Sequence, residues 1–369
     1  MTVGDVEQHL EQWAPKELAW ERDNVGLILG SRDIRIRNIV VTLDVNDEVV
    51  EEAKAKGSNL IVTHHPLFFR PVRGVTQQTR EGNIATKMIR YGISLLAIHT
   101  NIDFARGGVS AILAQRLRLE NTRVLQTEIH RYRKIVVFVP LAQVQSLTRA
   151  MQDAGAGKIG NYDSCSFRVE GKGTFRPLAG SKPYLGSKNI LEEVDESRLE
   201  MIVPAWKTDQ VIAAMRRVHP YEEVAFYVED LVNQATDMGA GIIGEMKRQM
   251  PFKSFLKFIL DILGAQAVRY AGSLDKKIRR VAVCGGSGSD LLPLAVLGGA
   301  DAFVTADVNY HTFQEAGDSI GIVDAGHFET ENPAMIEVAD YLKRCCKKNS
   351  KVRVFHSHSF RNPVHYYGS

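Results

Sequence analysis

Two stretches far apart in the chain echo each other. Gly57-Ser-Asn-Leu-Ile-Val-Thr63 and Gly299-Ala-Asp-Ala-Phe-Val-Thr305 share a helix-ending glycine, an apolar strand and a threonine just before the strand's carboxyl end. Their surroundings echo as well. Strand-like apolar runs at residues 38–43, 59–62 and 94–98 alternate with helical patterns at 47–55 and 84–91, and runs at 280–284, 302–305 and 321–324 are again separated by helical stretches. Such alternation is the pattern of strands buried between helices. The expectation is an α/β protein built from two related α/β lobes, residues 1–128 and 235–369.

The lobes do not account for the whole chain. At 369 residues it exceeds the roughly 250–300 residues that a single hydrophobic core usually serves, so a further compact unit is expected. Between the lobes, residues 129–234, the pattern changes to strand 134–140, helix 143–154, strand 164–169, strand 199–204, helix 208–217 and strand 224–228. This βαββαβ order predicts an inserted ferredoxin-like α+β domain. Its Gly/Lys/Pro-rich middle, residues 171–188, reads as a mobile loop or hairpin.

Composition excludes several classes of partner. A net charge of +3, with no dense basic block beyond the short run at Lys347 and Lys348, gives nucleic-acid binding no support. The four cysteines (Cys165, Cys284, Cys345, Cys346) do not form a disulfide framework, which fits a reducing cytosol. Residues 1–13 read as an amphipathic helix without a signal peptide's apolar centre, and no run approaches the roughly 20 apolar residues needed to cross a bilayer. A soluble, cytoplasmic protein is expected.

The chemistry concentrates just past strand ends, where open α/β sheets collect their ligands. Thr63-His64-His65-Pro66 follows the strand at 59–62. Neighbours in a regular strand point to opposite faces, so both imidazoles serve one site only if the chain turns there. Neutral imidazoles suit zinc, iron or nickel. Asp103, past the strand at 94–98, is a carboxylate able to bridge two cations, with a helix cap or turn residue as the plainer reading. Asp324-Ala-Gly-His327-Phe-Glu329-Thr-Glu331 follows the strand at 321–323. If this turn is already helical, His327 and Glu331 share one helix face; if Pro333 is the first helical residue, both stay in the loop ahead of it. Glu331 alone is also what a helix dipole favours at its start.

Together these pieces offer five N/O ligands and no thiolate: His64, His65, Asp103, His327 and Glu331. That set suits two cations about 3.5–4 Å apart with the carboxylate between them. Other candidates are weaker. Gly285-Gly286-Ser287-Gly288 follows a strand and reads either as a phosphate cradle or as a tight turn. Asp307, Tyr310 and His311 flank the echoed strand and can move protons or simply start a helix; Asp44 and His99 can orient ligands. His356 and His358 alternate without a third ligand nearby.

The sequence also resembles a known family. Asp23-Asn-Val-Gly-Leu27, Leu43-Asp44-Val45, Ile61-Val-Thr-His-His-Pro66, His99-Thr-Asn-Ile-Asp103, Gly107-Gly108, Val283-Cys-Gly-Gly-Ser-Gly288 and Asp324-Ala-Gly-His327 together look like the NIF-three-like proteins, the GTP cyclohydrolase 1 type 2 homologues. The middle segment, with Gly160-Asn161-Tyr162 and His219-Pro-Tyr-Glu-Glu223, is similar to the PII/CutA-like insert of the longer bacterial members. The resemblance implies a toroidal homohexamer with two divalent metal ions per chain, zinc or iron, held by those five residues. Ser110, Ala306 and Arg361-Asn-Pro-Val364 depart from the family's pattern.

Two functions follow as expectations. The first is a metal-dependent hydrolase acting on a nucleotide or related heterocycle, with Asp307, His311 and Glu329 as candidate proton shuttles. The second is a non-catalytic metal storage, delivery or sensing protein regulated by its insert.

Overall fold

The structure is a computed structural model that describes residues 1–127, 131–234, 237–317, 319–347 and 351–367. Lys348 and the expected domain limits at 128–129 and 235 fall outside these residues. The chain divides into two compact units, Met1–Thr127 with Thr236–Ser369, and Glu128–Ala235.

The first unit holds two sheets. One runs in the order Gly26–Leu29, Ser94–Ala97, Leu60–Thr63, Asn38–Thr42, Arg353–His356. All neighbours are parallel except the Gly26–Leu29 edge. Thr42, Thr63 and Ala97 stand in register, so three carboxyl ends finish flush. Every residue of Leu60–Thr63 and Ser94–Ala97 is buried, as continuous apolar strands require. Helices Asp47–Ala55 and Arg80–Tyr91 cover one face through Val49, Val50, Ile84 and Met88. The second of these begins earlier than the expected 84–91 because Thr79 caps it, its hydroxyl accepting from the Gly82 N–H.

The other sheet runs Arg269–Ala271, Gly321–Asp324, Ala302–Ala306, Lys277–Ser287, Ala240–Pro251, Leu119–Gln126, with a parallel centre and antiparallel edges. Apolar clusters cover both of its faces, one around Phe252 and Phe255, the other around Leu292 and Phe303.

The sheets exchange edge strands. Leu119–Gln126, from the first half of the chain, closes the second sheet, and Arg353–His356, from its end, closes the first. Helix Val109–Arg116 likewise gives Leu113 and Ala114 to the second sheet's core. The lobes are therefore spatial rather than consecutive. Helix His327–Cys346 packs on strands of both sheets and ties them together.

The second unit is a four-stranded antiparallel sheet in the order Phe167–Phe175, Glu192–Pro204, Arg131–Pro140, Phe226–Gln234. Helices Val144–Asp153 and Thr208–Val218 pack on one face through Leu147, Met151, Val211 and Met215. The chain order is βαββαβ. The glycine-rich middle is a hairpin whose strands pair from Phe167↔Glu200 to Phe175↔Glu192, leaving only residues 176–191 irregular. Among the described residues, no helix is long and apolar enough to cross a membrane.

Candidate metal centre

The strand Leu60–Thr63 stops one residue short of His64, and the chain turns there. The N–H groups of His64 and His65 both donate to the Leu43 carbonyl, each at 3.1 Å. One acceptor serving two consecutive donors breaks the alternation of a strand, and it brings the two rings onto one side, 4.9 Å apart. This is the turn that a shared site demanded.

Each histidine has its Nδ1 occupied. That of His64 lies 2.9 Å from the Ile98 carbonyl, that of His65 3.0 Å from Asp44, and that of His327 2.6 Å from Asp307. With acceptors at Nδ1, the consistent neutral tautomer carries its proton there and leaves Nε2 with a free lone pair. The Nε2 atoms then converge: His65 and His327 are 3.3 Å apart, and both lie near Glu331 Oε2, at 3.1 and 2.9 Å. His64 Nε2 stands 3.6 Å from Glu331 Oε1 and 3.7 Å from Asp103 Oδ1.

His327 and Glu331 belong to the helix. It begins at His327, directly after Gly326, so the two residues share one face, and Pro333 lies inside the helix. The missing N–H of Pro333 leaves the Glu329 carbonyl without its usual helical donor. The helix continues through it because its inner face is buried along Thr330, Glu331, Ala334, Met335 and Val338. Gly286 makes space for Glu331: a Cβ at 286 would stand 2.0 Å from Glu331 Oε1, and the backbone there has φ 62°.

Three buried polar atoms at this point, His64 Nε2, Asp103 Oδ1 and Glu331 Oε2, lack a hydrogen-bond partner among the described residues. Glu331 stands within 3.6 Å of all three imidazoles. Burial alone would drive the proton from the histidines, but Glu331 with Asp103 holds His64 above its usual range. Asp44 and Glu331 raise His65 to about 10, and Glu331 with Asp307 raises His327 to about 9, again against burial. Glu331 is held well below the usual carboxylate range by the three imidazoles, whereas burial pushes Asp103 up to about 6 against the pull of His64. Buried, orphaned N and O atoms with strong mutual fields match the donor chemistry of a divalent-cation site.

The Duf34/NIF3 family (NGG1p interacting factor 3) matches residues 1–363. The chain belongs to this family. Relatives named GTP cyclohydrolase 1 type 2 homolog include one from Halalkalibacterium halodurans, 39% identical over 324 residues and 87% of each chain. Another, from Bacillus subtilis, is 37% identical over 358 residues and 96% of each. Among solved structures, a Bacillus cereus protein related to NIF3 aligns with 100% of this chain and 99% of its own at a TM-score of 0.88 and 37% identity. A Staphylococcus aureus protein aligns over the same shares with a TM-score of 0.78 and 28% identity.

In this NIF3 chain the remaining candidates separate clearly. His99 brings a ligand atom within 4.8 Å of those of His64 and His65. Its Nδ1 is held 2.9 Å from Asp23, which also accepts from the Thr100 N–H and hydroxyl. Asp23 was not singled out as a site residue from sequence; its signal was its place in the Asp23–Leu27 motif. Asp307 sits at φ 54°, its loop pinned by Asp324, which accepts from the Val308 N–H and from Arg269. His311 is exposed, its ring against Tyr310, and it does not line the cavity beside the metal-ligand candidates. Glu329 does line it; Asn362 donates to its Oε1 at 2.8 Å, and its Oε2 is buried without a partner among the described residues.

The Gly285–Gly288 stretch does not offer a phosphate cradle. Its N–H groups are taken by hydroxyls: Gly285 by Ser110, Gly286 by Thr330 and Gly288 by Thr305. The glycines serve close packing instead. His356 and His358 lie with ring centroids 6.3 Å apart and belong to no metal-binding group found among the described residues. The described cysteines are free thiols, Cys346 buried with its Sγ 3.5 Å from the Met1 sulfur.

Proposed function

We propose that the chain holds two divalent metal ions, zinc or iron, through His64, His65, Asp103, His327 and Glu331, and acts as a metal-dependent hydrolase on a nucleotide or related heterocycle. The observation that carries this reading is the set of three imidazoles whose Nδ1 atoms are occupied and whose Nε2 atoms face the buried carboxylate of Glu331, that of His64 facing the partly exposed Asp103 as well. A bound metal pair would supply an acidified water and stabilise attacking and leaving oxygens.

The chain's own residues do the rest. Asp44 and Asp307 fix the rings of His65 and His327, and the Ile98 carbonyl fixes His64. Beside them opens a cavity of about 420 Å³, within the usual range for small-molecule sites, with the rings of Phe328 and Phe360 on one side and Arg269, Glu329 and Asn362 supplying polar contacts. Such a wall receives a planar heterocycle. Glu329, steadied by Asn362 through one oxygen, keeps the other to accept and return a proton. The name shared by the relatives, GTP cyclohydrolase 1 type 2 homolog, makes GTP the first substrate to try. Family membership supports a homohexamer, and the βαββαβ order supports a PII/CutA-like insert.

The test is metal analysis of freshly purified protein beside a His64→Ala/His65→Ala variant, followed by GTP incubation of the loaded wild type. About two ions per chain, lost in the variant, and conversion of GTP that His65→Ala abolishes are expected. A stoichiometry well below two that mutation leaves unchanged would falsify the site. Rapid metal transfer to an acceptor without turnover would replace the hydrolase by a storage or delivery protein.

A further inference from the structure

The second unit has a cavity of its own, about 580 Å³, bounded by residues of its sheet, of the irregular stretch 176–191 between the hairpin's strands and of the segment that follows the second helix. Its walls are aromatic. Phe138, Phe175, Tyr184, Tyr221 and Tyr227 line it, and the rings of Phe175 and Tyr184 stand 5.9 and 6.2 Å from that of Tyr221. Rings set at such spacings present both faces and edges to a flat guest.

The charges along this wall are unbalanced. Four carboxylates, Glu170, Glu196, Glu222 and Glu223, face two cations, Lys172 and Arg198. Both cations are committed to acids that do not line the cavity: Lys172 Nζ lies 2.8 Å from Asp195, and Arg198 Nε donates to Glu200 at 2.7 Å. Glu196 is only 8% exposed, and among the described residues no cation forms an ion pair with it. A carboxylate taken this far from water needs a donor. Beside it stands the Tyr221 hydroxyl, which burial and its hydrogen-bonding interaction with Glu196 push above its usual range and which has no further partner among the described residues, so the phenol supplies the carboxylate with one donor and leaves its remaining acceptor positions to a ligand.

Both groups are held in place by specific neighbours. A Cβ at Gly173 would come within 2.0 Å of Glu196 Oε2, so the absence of a side chain there is what admits the carboxylate. His219 ends helix Thr208–Val218, with its Nε2 2.9 Å from the Phe138 carbonyl and its Nδ1 accepting from the Tyr221 N–H at 3.1 Å. The His219-Pro-Tyr-Glu-Glu223 motif thus does more than stop a helix; it sets Tyr221 against the cavity.

We propose that this cavity binds a flat aromatic compound bearing a cationic or N–H-donating edge, of the aryl amidine type. Glu196 receives the edge, as a carboxylate receives a bidentate donor, and the aromatic wall takes the ring and part of its charge. The excess of carboxylates turns away phosphorylated and carboxylated compounds.

The experiment is calorimetric titration of the full-length protein with benzamidine, with benzoate as the same ring of opposite charge and acetamidine as the same edge without the ring. Benzamidine is expected to saturate one site per chain, unaffected by a chelator, and to bind at least about tenfold tighter than either control. Glu196→Gln should weaken it by about tenfold or more, and Tyr221→Phe by about threefold, in proteins whose melting curves match the wild type. Gly173→Ala, which displaces Glu196 without removing its charge, should weaken it comparably. Absence of saturable benzamidine binding, equal binding of benzoate, or full affinity in Glu196→Gln overturns the proposal. If another copy of the chain fills this face in solution, the first of these outcomes will appear.

Discussion

The two strands that echo each other in sequence end in different chemistry. Leu60–Thr63 runs out into His64 and His65, both turned onto the Leu43 carbonyl so that two imidazoles face the same point. Ala302–Ala306 runs out into Asp307, in the left-handed region, whose carboxylate holds the Nδ1 of His327. Even the matching threonines have parted. Thr63 reaches the Leu96 carbonyl of the next strand at 3.5 Å, whereas Thr305 accepts from Gly288 and donates to Gly286, tightening the glycine turn behind Glu331. The same place on related sheets supplies nitrogen donors in one lobe and, in the other, the acceptor that aims a donor. Position at a strand end is what the scaffold provides, and the residue that follows decides the role.

The sharpest way to break this comparison is to remove the donors. His64→Ala/His65→Ala should lower metal retention by more than about 100-fold, measured as metal content after dialysis against a weak chelator. Asp307→Ala should lower it less, by about 10–100-fold. Equal losses would mean that the two strand ends do not play different parts. Next in size is Gly286→Ala, where the new Cβ meets Glu331 Oε1. Because Glu331 faces three imidazoles, its displacement should cost about 1–3 kcal/mol of stability by overpacking and a loss of metal on the order of the histidine variant's. A thermal melt with and without added zinc separates the two effects. Unchanged metal content would show that Glu331 is not a ligand.

Asp44→Asn and Asp307→Asn sharpen the comparison by testing the same task in each lobe. Both carboxylates hold a histidine Nδ1, at 3.0 and 2.6 Å, so each substitution should reduce metal affinity by about 10–100-fold with little change in folding. If only Asp307→Asn has an effect, the orienting task belongs to the second lobe alone.

How much of this was legible depended on distance along the chain. The strands after Gly57 and Gly299, and the polar residues just past them, are local patterns, so the positions of His64, His65, Asp103 and His327 relative to strand ends could be read directly. The βαββαβ order of residues 131–234 is local in the same way. What the sequence hid were pairings across long separations. Leu119–Gln126 and Arg353–His356 cross between the sheets, and no periodicity announces which sheet an edge strand will join. Asp23 meets His99 across 76 residues. The Gly285–Gly288 turn was ambiguous because a glycine needed to admit Glu331 looks the same, in sequence, as one needed to admit a phosphate. Pro333 is read by default as a helix start, and only the buried face of His327–Cys346 explains why the helix runs through it. His311 looked like a proton shuttle because it follows the echoed strand, but the helix Tyr310–Ala316 leaves it exposed.

The smallest effect concerns the strand that the first sheet borrows from the chain's end. Just past Arg353–His356, Glu52 accepts from Ser357 and from the N–H groups of His358 and Ser359, and pairs with Lys56 at 2.6 Å. Burial alone would raise the Glu52 carboxyl, but these donors win and hold its pKa near 2, below its usual 4.5. A depressed carboxylate stabilises the fold above its unfolded pKa, and that contribution fades as the pH falls from about 4.5 toward 2. Glu52→Gln should therefore cost about 1 kcal/mol at neutral pH and flatten the acid limb of the stability curve over that window, followed by urea unfolding at several pH values. The second sheet's outer strand, Arg269–Ala271, is held instead by the Arg269–Asp324 pair, a single ion pair rather than a cluster of hydroxyl and backbone donors. If Glu52→Gln leaves the acid limb as steep as before, the borrowed strand is anchored by its ladder to Asn38–Thr42 alone, and the two sheets hold their edges in more similar ways than the side chains suggest.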